Sequence, residues 1–255
     1  MGQDRSWRAR RPGSSRSAFT RFEAAPSSAD GDIEDVHLAV DGAPIAKDAD
    51  WLPAVELFGE GLFVHFEYEA IKAWLNKQTV RAREEQLLRG YAHWASKFSG
   101  KKPDYPGTPY VLLHSLAHAL MQEIALDCGN PASSLKERVY AQQAIRGGAY
   151  DRCGLLIYTA STGAQGTLGG LVGVASRFAS ILQAALRRLE ICSNDPICAD
   201  HEPDDRSGDR ATHGAACHGC LLVAETSCES RNLFLDRALL VKTMAAGDAA
   251  FFNSA

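Results

Sequence analysis

Five of the seven cysteines fall in the last third of the chain, at a spacing that suits a metal ion. Cys217 and Cys220 form a Cys-x2-Cys pair, Cys192 and Cys198 precede this pair, and Cys228 follows it. A Cys-x2-Cys turn places two thiolates on one ion, and zinc binds four such ligands in a tetrahedron. We therefore expect Zn²⁺ as the cofactor, held by four of these five cysteines, with Cys217 and Cys220 as the core of the site.

The stretch between the cysteine pairs, residues 200–214, is too polar to fold by burial. A metal ion that closes this loop would explain how it stays organised. His201, His213 and His218 are further candidate ligands, although His218 lies inside the Cys-x2-Cys turn and is poorly placed to bind the same ion. A set of buried or redox-active thiols is the alternative. Nothing in the pattern favours a catalytic zinc, which keeps one position open for water.

A second candidate site is the glycine-rich loop STGAQGTLGG, which joins a predicted strand to a predicted helix. Backbone amides at a helix N-terminus attract anions, so this loop predicts contact with a nucleic-acid phosphate. It matches neither a Walker loop nor GxGxxG, and a tightly packed turn is the alternative. The candidate phosphate-binding residues are Ser161, Thr162, Gly163, Gly166, Thr167, Gly169 and Gly170.

His114 and His118 are a third, weaker candidate, for metal binding or catalysis. They are four residues apart on a predicted helix and therefore share a face. The spacing equals that of zincin ligands, but Ser115 stands where those enzymes carry the general base. We expect these histidines to be buried and hydrogen-bonded on an otherwise apolar helix.

The pattern of apolar residues predicts an α+β, helix-rich fold with a short central sheet, packed helices and a C-terminal zinc-bound cysteine region. The apolar run CGLLIYTA predicts a strand that is covered on both faces. The predicted elements are strands within 55–66, helices over 67–98, 110–126, 133–145 (with a Ser134–Glu137 capping box), 171–191 and 232–244, and a strand over 153–160.

The chain is predicted to begin with a disordered, arginine-rich segment over residues 1–35, followed by a strand pair, long helix and linker (36–109), a zinc-binding domain (110–245) and a tail (246–255). A net charge of −4 excludes a basic excess over the whole chain, although the N-terminal arm can touch phosphates. No segment resembles a signal peptide or a membrane span. We therefore expect a cytoplasmic protein, in which clustered cysteines favour metal over disulfides and Cys128 and Cys153 are core thiols.

Several strings together resemble the MrfA-like zinc-binding domain family, and among its members the DrmB-type proteins of the bacterial DISARM anti-phage system. They span residues 55–241 and are LHSLAHAL, LKERVY, GLLIYTASTGAQGTLGGL, CSNDPIC, GAACHGCLLVAETSCE and RNLFLDRALL. The resemblance implies two partners, a DrmA-like superfamily two helicase subunit and DNA. It also implies that Cys217, Cys220 and Cys228 bind the zinc, with Cys192 or Cys198 as the fourth ligand. The longer insertion between Cys198 and Cys217 departs from the helicase-fused members.

These observations together predict a non-catalytic, zinc-binding accessory module that associates with a superfamily two helicase and DNA in anti-phage defence. The chain has no Walker A loop and no DExH box, so any ATP-driven activity would come from a partner. DrmB-type proteins are usually longer, so we expect this chain to be a C-terminal part, a truncated gene product or a short stand-alone member. The alternatives are a hydrolase or nuclease that uses His114 and His118 near the glycine loop, and a structural protein without DNA contact.

Overall fold

The computed structural model divides the chain into two compact units, residues 1–56 and 57–255. It describes residues 18–22, 40–44, 59–97, 102–129, 131–144, 148–159, 170–203 and 212–252. In the first unit, strands β1 (Ala18–Phe22) and β2 (Val40–Pro44) pair in antiparallel orientation. Strand β1 lies inside the segment that we predicted to be disordered, and the rest of that segment lies outside the described residues.

The second unit is built on a three-stranded antiparallel sheet with the strand order β3-β5-β4. Its strands are β3 (Gly61–Phe66), β4 (Leu135–Ala144) and β5 (Gly148–Thr159). The central strand β5 carries the predicted apolar run, and its Leu155 and Ile157 are fully buried. At Gly154 a Cβ atom would lie 2.9 Å from the Phe63 ring, so the sheet needs a glycine there.

Helix α3 (Thr108–Cys128) is the buried centre of this unit and packs against β4, β5 and helix α4 (Leu171–Glu190). The sequence predicts it as a helix that is apolar on most sides, and fifteen of its residues are buried. Pro109 stands in its first turn, and Gly129 ends it in the left-handed conformation with φ 68°. The helix therefore contacts β4, β5 and α4 and lies at the centre of their packing.

Two helices, α1 (Tyr68–Leu75) and α2 (Gln78–Ser96), replace the single helix that we predicted over 67–98. The chain turns at Asn76 and Lys77, which lets the buried Trp74 donate a hydrogen bond to the Ala249 carbonyl at 2.8 Å. Among the described residues no helix is long and apolar enough to cross a membrane.

The predicted helix over 133–145 is wrong, because Leu135–Ala144 is strand β4. Lys, Glu, Arg, Ala and Gln favour a helix locally, but pairing with β5 along its whole length overrides this preference. Ser134 does not cap a helix either, and its hydroxyl donates to the Pro131 carbonyl at 2.7 Å. In the strand, alternate residues face inward, and Glu137 is therefore completely buried.

The predicted closing helix over 232–244 is also wrong, since only a 3-10 turn forms there, at Arg237–Leu239. Asn232 and Phe234 have positive φ angles of 61° and 64°, which no helix accommodates. The segment is instead held by side chains. Asp236 accepts hydrogen bonds from Ala215 N at 2.9 Å and Ala238 N at 3.0 Å, and forms a buried ion pair with Arg83 at 2.7 Å.

Replacing Asp236 with alanine is expected to lower the free energy of unfolding by about 3–5 kcal/mol, because it leaves a buried arginine without its counter-charge. Equilibrium denaturation measures this loss. The matched control is Asp248→Ala, which removes an exposed ion pair with Lys242 and should cost about 1 kcal/mol or less. Equal losses in the two variants would contradict a structural role for the Asp236–Arg83 pair.

Candidate metal centre

Four buried cysteines, Cys192, Cys198, Cys217 and Cys220, converge beyond the C-terminal end of α4. Cys192 and Cys198 lie on the turn that follows this helix, and Cys217 and Cys220 lie on the Cys-x2-Cys turn. The two turns are brought together across the polar stretch 200–214, of which residues 204–211 lie outside the described residues. The ligand atoms of all four lie within 4.8 Å of one another.

The spacing of these sulfur atoms suits a metal ion and excludes a disulfide. The Sγ–Sγ distances are 3.4 Å between Cys192 and Cys217 and 3.8 Å for both Cys198–Cys220 and Cys217–Cys220. A disulfide joins two sulfurs at about 2.05 Å. Zinc–sulfur bonds of about 2.3 Å give a tetrahedron with edges of about 3.8 Å. The cluster therefore has the size of a four-thiolate zinc site.

Hydrogen-bond donors surround the cysteine sulfurs in the way expected for thiolates. Asn194 N points at the Cys192 sulfur at 3.4 Å, and Gly219 N and Asn194 Nδ2 both point at the Cys217 sulfur at 3.3 Å. Cys217 N points at the Cys220 sulfur at 3.3 Å. Such donors stabilise negative charge on sulfur and orient the ligands before a metal arrives.

The same donors act on the acidity of the thiols. Burial raises the pKa of Cys217, but hydrogen bonds from Cys192, Asn194 and Gly219 outweigh it and lower that pKa to about 7. In contrast, the hydrogen bond with Cys220 and burial raise the pKa of Cys198, and burial raises the pKa of Cys192. Four thiolates cannot share this buried space without a cation, so the chemistry of the cluster calls for a metal ion.

A buried arginine fixes the first cysteine turn to the end of α4. Arg237 is fully buried, donates to the Leu189 carbonyl at the C-terminus of that helix, and pairs with Asp195. Asp195 in turn accepts from Cys192 N at 2.8 Å and from Ala199 N at 3.1 Å. A cation at a helix C-terminus is favourable, and here it also positions the loop that carries Cys192 and Cys198.

Cys228 lies apart from the four-cysteine cluster, in a second group with His114, His118 and Glu137. We expected Cys228 to share the zinc with Cys217 and Cys220. The chain after Cys220 instead runs along α3, so that the Cys228 sulfur lies 3.1 Å from His114 Nε2. Both histidines are buried and hydrogen-bonded, as expected from the apolar helix that carries them.

The pKa values of the two histidines in the second group are shifted in opposite directions. Burial, followed by the neighbouring His114, lowers the pKa of His118 to about 3, so this ring is neutral. Burial also acts to lower the pKa of His114, but its hydrogen bonds with Cys228 and Glu137 outweigh burial and raise it to about 10. Burial acts to raise the pKa of Glu137, but the His114 partner outweighs it and holds that pKa low.

The other predicted site residues do not join either group. His201 and His213 are within the described part of the chain but outside both groups, and His218 is exposed. Of the predicted phosphate-binding loop, residues 161–169 lie outside the described residues. Gly170 is the N-cap residue of α4. The first amide of that helix, Leu171 N, donates to the Glu60 carboxylate at 3.1 Å. A carboxylate of the chain itself therefore occupies this helix N-terminus.

Sequence reasoning missed Glu137, because a capping role on a helix was assigned to it. Its place between Leu135 and Val139 was the available signal, since a charged residue at an inward position of a strand requires a partner.

Sequence reasoning also missed a row of polar residues on α3. Tyr110, His114, His118 and Gln122 recur at intervals of four and lie along one face of the helix, which we call the polar seam. These side chains bond to Ser230 Oγ (2.7 Å) and to the carbonyls of Phe234 (3.2 Å), Leu221 (2.8 Å) and Cys220 (3.1 Å), respectively.

Residues 116–221 match the family model described as the MrfA Zn-binding domain. Over this segment the chain is similar to the MrfA Zn-binding domain. The matched segment includes Cys192, Cys198, Cys217 and Cys220 and ends one residue after Cys220, so Cys228 and His114 lie outside it. The resemblance that the sequence motifs carry is thus confirmed by this match, and the four-cysteine cluster lies wholly inside the matched segment.

A curated relative extends the similarity beyond this domain. Over 206 residues the chain is 38% identical to the DISARM protein DrmB of Bacillus paralicheniformis. The similar region covers 80% of this chain and 35% of that protein. The chain therefore spans about a third of the length of the relative.

We expect Asn194→Ala to weaken metal binding at the four-cysteine cluster by about 10–100-fold, because it removes a side-chain donor to the Cys217 sulfur. Competition with a chelator of known affinity measures this change. Asn76→Ala is the matched control, since Asn76 is exposed and its side chain accepts a hydrogen bond from Arg81. Unchanged affinity in Asn194→Ala would show that this donor does not act on the metal ligand.

Proposed function

We propose that this chain is a zinc-stabilised accessory module in which Cys192, Cys198, Cys217 and Cys220 hold one structural Zn²⁺. The observation that carries the proposal is the set of sulfur–sulfur distances, which fit the edges of a zinc tetrahedron, inside a segment that matches a zinc-binding domain. All four positions of the tetrahedron are filled by protein, so the ion is structural rather than catalytic. None of the seven cysteines, all of which the structure describes, forms a disulfide, which suits the reducing, cytoplasmic setting that we propose.

The module is proposed to act in anti-phage defence, in association with a superfamily two helicase and DNA. Similarity to the DISARM protein DrmB supports the defence setting. The helicase and DNA partners rest on the family resemblance of the motifs. A folded module without its own nucleotide-binding motif would contribute binding surface and positioning, while the helicase supplies the ATP-driven movement.

The hydrolase alternative has no support among the described residues. His114 and His118 are fully buried, and their Nδ1 atoms bond to the carbonyls of Phe234 and Leu221. A substrate has no access to groups in this position, whereas a catalytic pocket must admit one. We therefore propose a non-catalytic role for the chain.

Cys220→Ser is expected to remove zinc from the four-cysteine cluster and to lower the free energy of unfolding by about 4 kcal/mol or more, because the two turns lose the ion that joins them. Elemental analysis and thermal unfolding measure the two effects. Cys128→Ser is the matched control, since Cys128 belongs to neither donor group and should keep both zinc and stability. Full zinc content and stability in Cys220→Ser would contradict the structural site.

The partner proposal is tested by co-expressing the full chain with a DrmA-like superfamily two helicase. We expect the two proteins to co-purify, and their complex to bind a fluorescent DNA duplex with an affinity that falls as salt increases. Cys220→Ser should lose the complex, and Cys128→Ser should keep it. A complex with the helicase that does not bind DNA would support a purely structural role. A zinc-loaded chain that binds neither the helicase nor DNA would contradict the proposal.

A further inference from the structure

The second donor group brings together side chains from three separate parts of the fold. His114 and His118 come from α3, Glu137 comes from β4, and Cys228 comes from the irregular segment after the four-cysteine cluster. All four are buried, and their ligand atoms lie within 4.8 Å of one another. Two imidazoles, a thiol and a carboxyl group have no common reason to share an apolar interior, because each loses its hydration there.

Hydrogen bonds leave one nitrogen of each imidazole for the centre of the group. His114 Nδ1 bonds to the Phe234 carbonyl at 3.2 Å, and His118 Nδ1 bonds to the Leu221 carbonyl at 2.8 Å. A ring that donates Nδ1–H to a carbonyl turns Nε2 towards the centre of the group, where a metal ion displaces any proton that this nitrogen carries. Metal-binding histidines are oriented in this way by the group opposite the metal.

Two polar atoms of the group are buried without a hydrogen-bond partner, namely His118 Nε2 and Glu137 Oε2. An ion pair between His114 and Glu137 would account for the 3.5 Å contact between them, but it leaves both of these atoms unsatisfied. An unpaired buried acceptor costs about 1–3 kcal/mol. A cation at the centre of the group satisfies both atoms at once.

We propose that His114, His118, Glu137 and Cys228 hold a second zinc ion, separate from the ion of the four-cysteine cluster. His114 Nε2 lies 3.1 Å from the Cys228 sulfur and 3.5 Å from Glu137 Oε1. Zinc bonds of about 2.0–2.3 Å predict tetrahedral edges of about 3.3–3.8 Å, close to these separations. Mixed nitrogen, sulfur and oxygen donors in a closed group of four suit structural Zn²⁺.

The backbone around the group supports this role. Asn232 N points at the Cys228 sulfur at 3.2 Å, and Glu229 N donates to Glu137 Oε1 at 3.1 Å. These amides orient the thiolate and the carboxylate as the carbonyls orient the imidazoles. The ion would fix the segment 228–234 to both α3 and the edge of the sheet.

The second ion would also be coupled to the first through two consecutive residues. The Cys220 carbonyl accepts from Gln122 and the next carbonyl, that of Leu221, accepts from His118, four residues earlier on α3. Loss of either ion therefore loosens the same stretch of chain, although each ion has its own ligands.

Native mass spectrometry of the full chain after reconstitution with Zn²⁺ tests the proposal without any substitution. We expect two zinc ions per chain, one for each donor group. A folded chain that takes up one ion would overturn the second site.

Substitutions then assign the two ions. His118→Ala should reduce the count from two to one and keep the four-thiolate spectrum of the Co²⁺-loaded protein, whereas Cys198→Ser should leave one ion but lose that spectrum. His65→Ala, at an exposed position of β3, is the matched control and should keep two ions. Retention of both ions in folded His118→Ala would overturn the proposal. Failure at the four-cysteine cluster is distinguishable, because it removes the four-thiolate spectrum and leaves the His118-dependent ion.

Discussion

The close approach of buried electron-rich groups is the constraint on which the C-terminal half of the molecule depends. Sulfur atoms 3.4–3.8 Å apart repel one another once they are ionised, and in the second group His118 Nε2 and Glu137 Oε2 are buried without a hydrogen-bond partner. Burial weakens the screening that water would provide. A cation at the centre would convert each group from a destabilising cluster into a cross-link between distant segments, which is how metal binding becomes folding free energy.

Helix α3 contacts both groups, through His114 beside Cys228 and through Gln122, which donates to the Cys220 carbonyl. The chain from Cys217 to Val241 contains only short 3-10 turns as regular structure, yet much of it is buried. Its backbone N–H and C=O groups must therefore find hydrogen-bond partners other than those that helices and sheets provide. The polar seam on α3 supplies several of them, and the buried Asp236 and Arg237 supply others. A module fixed in this way can present an irregular surface without a large sheet or bundle beneath it.

Sequence reasoning succeeded where a local pattern determines the structure and failed where a distant partner does. The apolar run of β5, the largely apolar helix α3 and the helix α4 follow from local sequence patterns. Strand β4 was missed because its residues favour a helix until β5 pairs with them, and the segment after Cys228 was missed because side-chain hydrogen bonds hold it. The spacing of the cysteines predicted that they bind a metal, and the structure brings four of the five together. Cys228 lies apart from them, beside His114, which is more than a hundred residues away in the sequence. A local sequence pattern cannot predict a contact between residues so far apart.

Hydrogen–deuterium exchange of the full chain, compared before and after removal of zinc, tests most directly whether metal ions hold the C-terminal segment on α3. Loss of zinc should greatly accelerate exchange of backbone amides between Cys217 and Val241, while those of the β3–β5 pairing, which needs no metal ligand, should keep most of their protection. Equal protection of the segment 217–241 with and without zinc would contradict a structural role for the metal.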